Sequence, residues 1–266
     1  MGGNNPPIFI MNAKKDLGQN FLVDNVVIEK ITNEINATKN DLIIEIGPGY
    51  GALTSILKKT EANIIAYEID TDLKIYLSKY EDNLTKIIYQ DFLKSNIKED
   101  IKNIKYDKLF IIGNLPYYIT TPIIEKITKE ELIFEKLVIM VQKEVADRFV
   151  AINKTKDYGY ITLYLKYYYD IKRLMNVSKN SFKPVPKVES TVLLFLQRKD
   201  KPNVDKEKYF SFLKECFKQK RKTLRNNVSS KDFEIIKDLL KTSGLNENIR
   251  AEEINEDLFI KIVNNI

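Results

Sequence analysis

The chain has 266 residues, of which 44% are apolar and 30% are charged, the balance of a globular protein with room for one or two domains. It contains no histidine and one cysteine, which excludes histidine-based catalysis, histidine metal sites, an intrachain disulfide and a multi-cysteine zinc site. The net charge of +6 favours an anionic partner such as nucleic acid. Chemistry is therefore left to carboxylates, amides, tyrosines, lysines or a bound cofactor.

No apolar run reaches the roughly 18 to 20 residues that a membrane-spanning helix needs. The segment from Met1 to Met11 lacks the positively charged and then apolar stretch of a secretory signal, and Met11 is an alternative start. We therefore expect a cytoplasmic protein that does not contact a membrane and acts as a monomer.

From Asp41 onward, short apolar runs alternate with amphipathic stretches. Runs rich in isoleucine and valine predict buried strands at residues 42–46, 64–69, 86–89, 109–112 and 137–141. Helical patterns lie between them at 52–59, 71–80 and 122–129, and later strands are predicted around 173–177 and 191–197. This alternation predicts an α/β fold with an open, mainly parallel sheet and helices on both faces.

The pattern changes at a charged, proline-containing connector, KDKPN, at residues 199–203. Beyond it, apolar residues recur at helical spacing, beginning with Tyr209, Phe212 and Cys216. We therefore predict an N-terminal extension with a first helix over residues 1–40, an α/β domain over 41–199 and a small all-α domain over 200–266.

The first strand runs through Glu45 into three glycines at alternate positions, Gly47, Gly49 and Gly51. Glycines between a buried strand and a helix let the backbone approach a ligand closely and open a helix N-terminus towards it. The GxGxG spacing differs from the GxGxxG of dinucleotide-binding folds. By itself it fits a tight turn without a ligand equally well.

Acidic residues follow the next two strands. Glu68 and Asp70 lie about 20 residues beyond the glycines, where nucleotide-binding α/β folds hold a ribose diol. Asp91 follows the third strand and could accept a hydrogen bond from an adenine amine. Because the carboxyl ends of parallel strands meet at one edge, the sequence predicts a nucleoside-binding crevice there. Capping of the following helices by Asp70 or Asp91 is the competing interpretation.

The fourth strand leads into Asn114, Leu115, Pro116 and Tyr117. The amide oxygen of Asn114 and the carbonyl of Leu115 can each accept a hydrogen from an exocyclic amine, which aims the nitrogen lone pair, and Tyr117 offers a stacking face. Pro116 fixes the turn and removes a competing donor. The tetrapeptide alone is a common turn, but its place after the fourth strand favours function.

This tetrapeptide, downstream of ExGxGxG, resembles the S-adenosylmethionine-dependent methyltransferases that modify exocyclic amines of nucleobases, which have a Rossmann-like class I sheet. Further segments resemble one branch, the KsgA-type ribosomal RNA adenine N6,N6-dimethyltransferases: LGQNFL at 17–22, NLPYYITTPI at 114–123 and FKPVPKVES at 182–190. The matches are in the family's order and extend over residues 17 to 227, most of the chain.

The resemblance implies S-adenosyl-L-methionine as the cofactor and no metal. The implied cofactor contacts are Asn20, Leu22, Gly47, Glu68, Asp91 and Asn114. The residues implied around the target adenine are Asn114, Leu115, Tyr117 and Phe182. The implied reaction places two methyl groups on the N6 amine of each of two adjacent adenosines near the 3′ end of small-subunit ribosomal RNA. The implied partner is that RNA within the assembling small ribosomal subunit.

The segment FKQKRKTLRN at 217–226 is similar to the family's basic motif. Its cations are Lys218, Lys220, Arg221, Lys222 and Arg225. We expect this segment on a helix, where a dense positive stretch suits RNA phosphates. Since an isolated basic run is usually a solvated helix face, the RNA assignment depends on the methyltransferase motifs.

Three alternatives stay open. An Erm-type methyltransferase, acting on large-subunit RNA, shares fold, cofactor and most site residues, although Leu115, Tyr118 and the basic motif favour the KsgA branch. A ribosome-assembly or transcription factor could keep the fold and act by binding, whereas intact Glu68, Asp91 and Asn114 favour retained catalysis. A dehydrogenase using NAD has no role for the tetrapeptide at 114–117.

Overall fold

A computed structural model describes residues 13–116 and 118–266, without the side chain of Lys15, so residues 1–12 and Tyr117 lie outside the described residues. In these ranges the strands are β1 Phe21–Leu22, β2 Leu42–Ile46, β3 Asn63–Glu68, β4 Thr85–Tyr89, β5 Leu109–Asn114, β6 Lys136–Gln142, β7 Tyr169–Val177, β8 Phe182–Lys183 and β9 Ser190–Gln197. The α-helices are α1 Asn25–Ile35, α2 Ala52–Leu57, α3 Lys74–Leu77, α4 Ile97–Ile101, α5 Thr120–Lys129, α6 Lys143–Phe149, α7 Tyr160–Tyr168, α8 Lys206–Cys216, α9 Ser230–Thr242 and α10 Glu256–Val263.

The strands form one seven-stranded sheet in the order β4-β3-β2-β5-β6-β9-β7, and β1 pairs with β8 in a separate antiparallel ribbon. Neighbours from β4 to β6 are parallel, whereas β9 runs antiparallel to β6. The strand order reverses at β2, which pairs with both β3 and β5, so the carboxyl ends of these strands border a topological switch point. The predicted α/β fold is confirmed.

Strand burial explains why the apolar runs were reliable signals. All five residues of β2 are buried, as are the first five of β5, because parallel strands in such a sheet are covered on both faces. The five predicted parallel-region strands differ from the observed ones by at most two residues at either end. Strand β7 begins four residues earlier than its predicted start at 173.

The chain divides into two compact units. The first contains residues up to Lys143 together with Arg173–Phe195, and the second contains Glu144–Lys172 and Leu196–Ile266. The predicted 199/200 boundary lies near the crossing after Phe195, but residues 144–172 also belong to the second unit. The physical reason is packing between distant segments, because Leu163 and Tyr167 of α7 share a buried core with α8 and α10.

The basic segment is not helical, contrary to the prediction. Helix α8 ends at Cys216, and residues 217–222 form turns that lead to a 3-10 helix at Leu224–Asn226. The side chain of Asn227 both accepts from the N–H of Gln219, at 3.0 Å, and donates to its carbonyl, at 3.2 Å. These bonds replace helical ones and stabilise the turn.

Two further observations concern the chemistry of the described residues. No helix within 13–116 and 118–266 combines the length and the apolar character needed to cross a bilayer. The same ranges contain no cluster of three or more His, Cys, Asp or Glu side chains placed to hold a metal ion. The thiol of Cys216 is free and buried in the core of the second unit.

Candidate cofactor and base-binding site

A cleft in the first unit lies at the carboxyl ends of β2, β3, β4 and β5, where open α/β sheets bind their ligands. Five of the six predicted cofactor residues line it: Asn20, Gly47, Glu68, Asp91 and Asn114. The fold thus brings together residues from the segment before β1 and from the carboxyl ends of four strands.

The turn after β2 requires glycine. Gly47 and Gly49 have φ values of +71° and +59°, in the left-handed region that other residues rarely adopt. A Cβ on Gly49 would lie 3.0 Å from the ring of Phe21. The Gly49 N–H donates to Oε2 of Glu68 at 3.0 Å. The turn is therefore held in a shape that brings bare backbone to the cleft.

Glu68, at the end of β3, is only 4% exposed although it lines the cleft. Its Oε1 accepts the N–H of Asp70 at 2.9 Å, so each carboxylate oxygen has a backbone partner. Burial raises the pKa of Glu68, and the N–H groups of Asp70 and Gly49 counteract that rise. Each oxygen can accept a second hydrogen bond, so Glu68 can also bind ligand hydroxyls.

Asp70, unlike Glu68, has a purely structural role. It caps the 3-10 helix Thr71–Leu73 by accepting the N–H of Asp72 at 3.1 Å. It also accepts from Nζ of Lys14 at 2.5 Å and from Nε2 of Gln19 at 2.8 Å. Burial would raise the pKa of Asp70, but these hydrogen bonds outweigh it and lower the pKa below its usual value. Asp70 thus anchors the segment before β1 and does not line the cleft.

Asp91 is placed for both roles that its sequence position allowed, capping of the following helix and contact with a ligand. Its Oδ1 accepts the N–H of Leu93 at 2.9 Å and caps the 3-10 helix Phe92–Lys94. Unlike Asp70, it also lines the cleft, and its Oδ2 accepts no hydrogen bond from the part of the chain that the structure describes. Capping therefore leaves one oxygen for a ligand amine.

Asn114 is held from across the cleft. Its Nδ2 donates to the carbonyl of Asn20 at 2.9 Å, a bond between residues 94 positions apart. Asn20 in turn donates to the carbonyl of Gly18 at 3.2 Å. Gly18 has a φ of +59°, and a Cβ there would lie 3.0 Å from the ring of Tyr118. The two sequence motifs therefore meet, and Oδ1 of Asn114 is left to accept a hydrogen.

The other predicted residues are placed differently. Leu115 is 1% exposed and lines the cleft. Phe182 is also 1% exposed, and it pairs with Leu22 in the ribbon of β8 and β1. Neither Phe182 nor Leu22 lines this cleft. Leu22 instead lines a second cleft, which shares Asn114 with the first. Tyr117 lies outside the described residues. Base contacts by Phe182 and Tyr117 stay predictions.

Glu45 received no role from the sequence. It is fully buried in β2, where Oε2 accepts the hydroxyl of Thr54 at 2.7 Å and Oε1 has no partner among the described residues. Burial raises the pKa of Glu45 to about 7, opposed by the hydrogen bond from Thr54. The signal was an acid inside an otherwise apolar strand, two residues before the first glycine. Gln19, Ile69, Gln90 and Phe92 also line the cleft; Gln19 lies in the 17–22 motif, but no sequence pattern predicted a role for any of the four.

The predicted RNA-binding residues all lie in the second unit, four of them on the turns after α8 and Arg225 in the 3-10 helix that follows. Each is exposed: Lys218, Lys220, Arg221, Lys222 and Arg225. The Arg225 guanidinium lies 5.6 Å from the centre of the Phe233 ring. The structure therefore keeps these cations together at the surface of one unit.

Residues 10–266 match the family model described as Ribosomal RNA adenine dimethylase. The Ribosomal RNA small subunit methyltransferase A of Mycoplasma mobile is 42% identical over 250 residues, covering 93% of this chain and 96% of the relative. The protein of the same name from Clostridioides difficile is 39% identical over 258 residues, covering 94% and 89%.

Two solved structures share the fold. A dimethyladenosine transferase from Plasmodium falciparum superposes with a TM-score of 0.74 at 23% identity, covering 91% of this chain and 95% of that chain. The 23S rRNA methyltransferase ErmE gives 0.69 at 22% identity, covering 92% and 99%. The family model, which matches nearly the whole chain, and the relatives of 39% and 42% identity show that the chain belongs to the ribosomal RNA adenine dimethylase family.

Proposed function

We propose that this protein transfers two methyl groups from S-adenosyl-L-methionine to the N6 amine of each of two adjacent adenosines near the 3′ end of small-subunit ribosomal RNA. The observation that carries this proposal is the hydrogen bond from Asn114 to Asn20, which fixes the amide so that its oxygen can accept from an exocyclic amine. Relatives named small-subunit methyltransferases support the substrate.

The cleft fits S-adenosylmethionine. The left-handed turn at Gly47 and Gly49 brings bare backbone to the cleft, which both glycines line. Glu68 and Asp91 supply carboxylate oxygens for ribose hydroxyls and an adenine amine, and Phe92 supplies an apolar wall. When bound, the cofactor supplies an electrophilic methyl group. All of these residues are in the first unit, so the cofactor would be held by that unit.

Positioning of the amine is the task of this chain's own groups. Oδ1 of Asn114 and the carbonyl of Leu115 would each accept one N6 hydrogen, which leaves the nitrogen lone pair free to react. The amine loses its proton readily after methylation, so no general base is needed and the absence of histidine is no obstacle. Tyr117 and Phe182 would stack on the base, as the family resemblance implies.

Two acceptors also suit two successive transfers. The unmodified amine has two hydrogens and can use both Asn114 and Leu115. The monomethylated amine retains one hydrogen, and one acceptor is enough to hold it. The same pocket can therefore orient both substrates, provided that it has room for the first methyl group.

We further propose that the cations at 218–225 contact RNA phosphates and that the substrate is presented by the assembling small subunit. The net charge of +6 and the exposure of these cations support this placement. Acting as a monomer in the cytoplasm, the enzyme would belong to small-subunit biogenesis.

The test is methyl transfer from labelled S-adenosylmethionine to small and large ribosomal subunits that lack the family's modifications, followed by nucleoside analysis. We expect label in the small subunit, recovered as N6,N6-dimethyladenosine. Label in large-subunit RNA would replace the proposed substrate with that of the Erm branch. Cofactor binding without transfer to either subunit would replace catalysis with a binding role.

A further inference from the structure

The turn at residues 217–222, here called the basic turn, is held by one side chain. Oδ1 of Asn227 accepts the N–H of Gln219 at 3.0 Å, and Nδ2 donates to the carbonyls of Gln219 and Thr223 at 3.2 and 3.3 Å. Both donors and the acceptor of this amide are thus used. The backbone of the basic turn is therefore fixed while its cations remain exposed.

A second segment, residues 152–157, contacts the basic turn and is here called the adjacent loop. The Nζ of Lys220 donates to the carbonyl of Lys156. Next to this bond in sequence, the rings of Tyr158 and Phe217 pack edge to face with centres 6.2 Å apart. The basic turn and the adjacent loop are therefore in direct contact within the second unit.

The adjacent loop is itself anchored. The N–H of Lys154 donates to the carbonyl of Glu252 at 2.7 Å, and Nδ2 of Asn153 donates to the carbonyl of Glu253 at 3.2 Å. Lys154 has a φ of +69°, a left-handed conformation that is costly for a lysine. These bonds hold the adjacent loop in a defined conformation, with the side chains of Lys154 and Lys156 exposed.

The cations of the basic turn and the adjacent loop form no ion pair among the described residues, although carboxylates lie nearby. Glu144 and Asp157 line the same cavity as Lys156 and Lys220, and Glu253 and Asp257 line the same cavity as Lys154. Ion pairs between described residues of the second unit include Arg148–Glu144, Arg198–Glu256, Lys237–Glu247 and Arg250–Glu252. None of them involves the adjacent loop or the basic turn. Like charges fixed close together repel one another, and a polyanion relieves that repulsion.

We propose that the adjacent loop and the basic turn form one phosphate-binding surface for ribosomal RNA, with Lys154 and Lys156 as contacts and Asn227 as a positioning residue. The identity of the anion rests on the proposed function. Each phosphate that a cation neutralises releases counterions, so additional contacts raise both affinity and its salt dependence.

The first test measures binding of the full chain to an unmethylated small-subunit RNA fragment at several salt concentrations. For Lys154→Glu with Lys156→Glu, we expect about tenfold weaker binding at moderate salt and a salt slope smaller by about 1 to 2. The matched control is Lys199→Glu with Lys208→Glu, two exposed lysines before and in the first turn of α8, whose other end leads into the basic turn. Equal losses for both pairs would overturn the proposal, since net charge alone would explain them.

The second test replaces Asn227 without removing any cation. For Asn227→Ala we expect KM for RNA to rise several-fold with kcat and cofactor affinity unchanged, because the basic turn loses its hydrogen bonds but the first unit is intact. Asn227→Asp keeps the acceptor for Gln219 and should lie between wild type and the alanine variant. An unchanged KM in the alanine variant would refute the positioning role.

The outcomes also separate this proposal from the proposed function. If Arg221→Glu with Lys222→Glu weakens RNA binding but the adjacent-loop variant does not, only the present inference fails. If neither variant weakens binding, the RNA surface of the proposed function fails as well.

Discussion

The cleft of the first unit and the basic surface of the second unit, which consists of the basic turn and the adjacent loop, use charge in opposite ways. In the first unit, Glu68 of the cleft and Glu45 of β2 are buried, and each accepts at least one hydrogen bond. At the surface, Lys154 and Lys156 are exposed and have no carboxylate partner among the described residues. A buried polar atom that loses its partner costs about 1–3 kcal/mol, whereas exposed charges are screened by salt. We therefore expect geometric selectivity from the first region and salt-dependent affinity from the second.

The largest effect should come from the cleft. Asn114→Ala removes the amide that orients the target amine, so we expect methyl transfer to fall by about 100-fold or more, with the fold intact. Single-turnover transfer rates and cofactor binding measure the two parts of this prediction. Asn114→Asp is the matched control because it keeps an acceptor oxygen but loses the bond to Asn20. A methyl-transfer rate equal to that of the wild type in Asn114→Ala would refute the role assigned to Asn114.

Glu45 should give this region a pH-dependent stability that the basic surface lacks. Its pKa is about 7 when folded against an ordinary value of 4.5, so the folded protein binds the proton more tightly. The free energy of unfolding should therefore fall as pH rises from about 4.5 to about 7, by no more than about 3 kcal/mol. The Glu45→Gln variant should lack this pH-dependent part of the free energy of unfolding. Urea unfolding at pH 5 and pH 8 tests it, and parallel pH dependences of the two proteins would contradict it.

Close packing beneath the cleft predicts a third effect. A Cβ on Gly113 would lie 2.6 Å from the carbonyl oxygen of Ile46 in the neighbouring strand, and backbone cannot move aside easily. We expect Gly113→Ala to lower the free energy of unfolding by about 1–3 kcal/mol. Gly159→Ala is the control, since nothing lies within 4 Å of the added atom. Equal thermal midpoints for the two variants would show that β2 and β5 can separate.

The basic surface should respond more weakly and only towards RNA. For Arg221→Glu with Lys222→Glu, we expect about tenfold weaker RNA binding at moderate salt, with a salt slope smaller by about 2. Cofactor affinity should not change, because the cleft lies wholly in the first unit. Equilibrium binding of both ligands across a salt series checks this. Unaltered RNA affinity at moderate salt would remove these cations from the RNA surface.

Much of the sheet and part of the cleft could be predicted because their signals are local. A buried parallel strand such as β2 is one continuous apolar run, and its carboxyl end is where the chain turns at glycine. Knowing that parallel strands share an edge then brings Gly47, Glu68, Asp91 and Asn114 together. The positions of these residues were therefore predictable, but their hydrogen-bond partners were not.

Sequence alone determined the residue types and the order of the elements, since periodicity and turn chemistry act over a few residues. Tertiary structure decided which distant groups meet. Asn20 reaches Asn114 across 94 positions, and α7 joins the core of the second unit rather than that of the sheet. It also decided that the basic segment turns instead of continuing α8, because Asn227, eight residues further on, bonds to the backbone of Gln219. Such contacts depend on how the whole chain packs, and no local pattern specifies them.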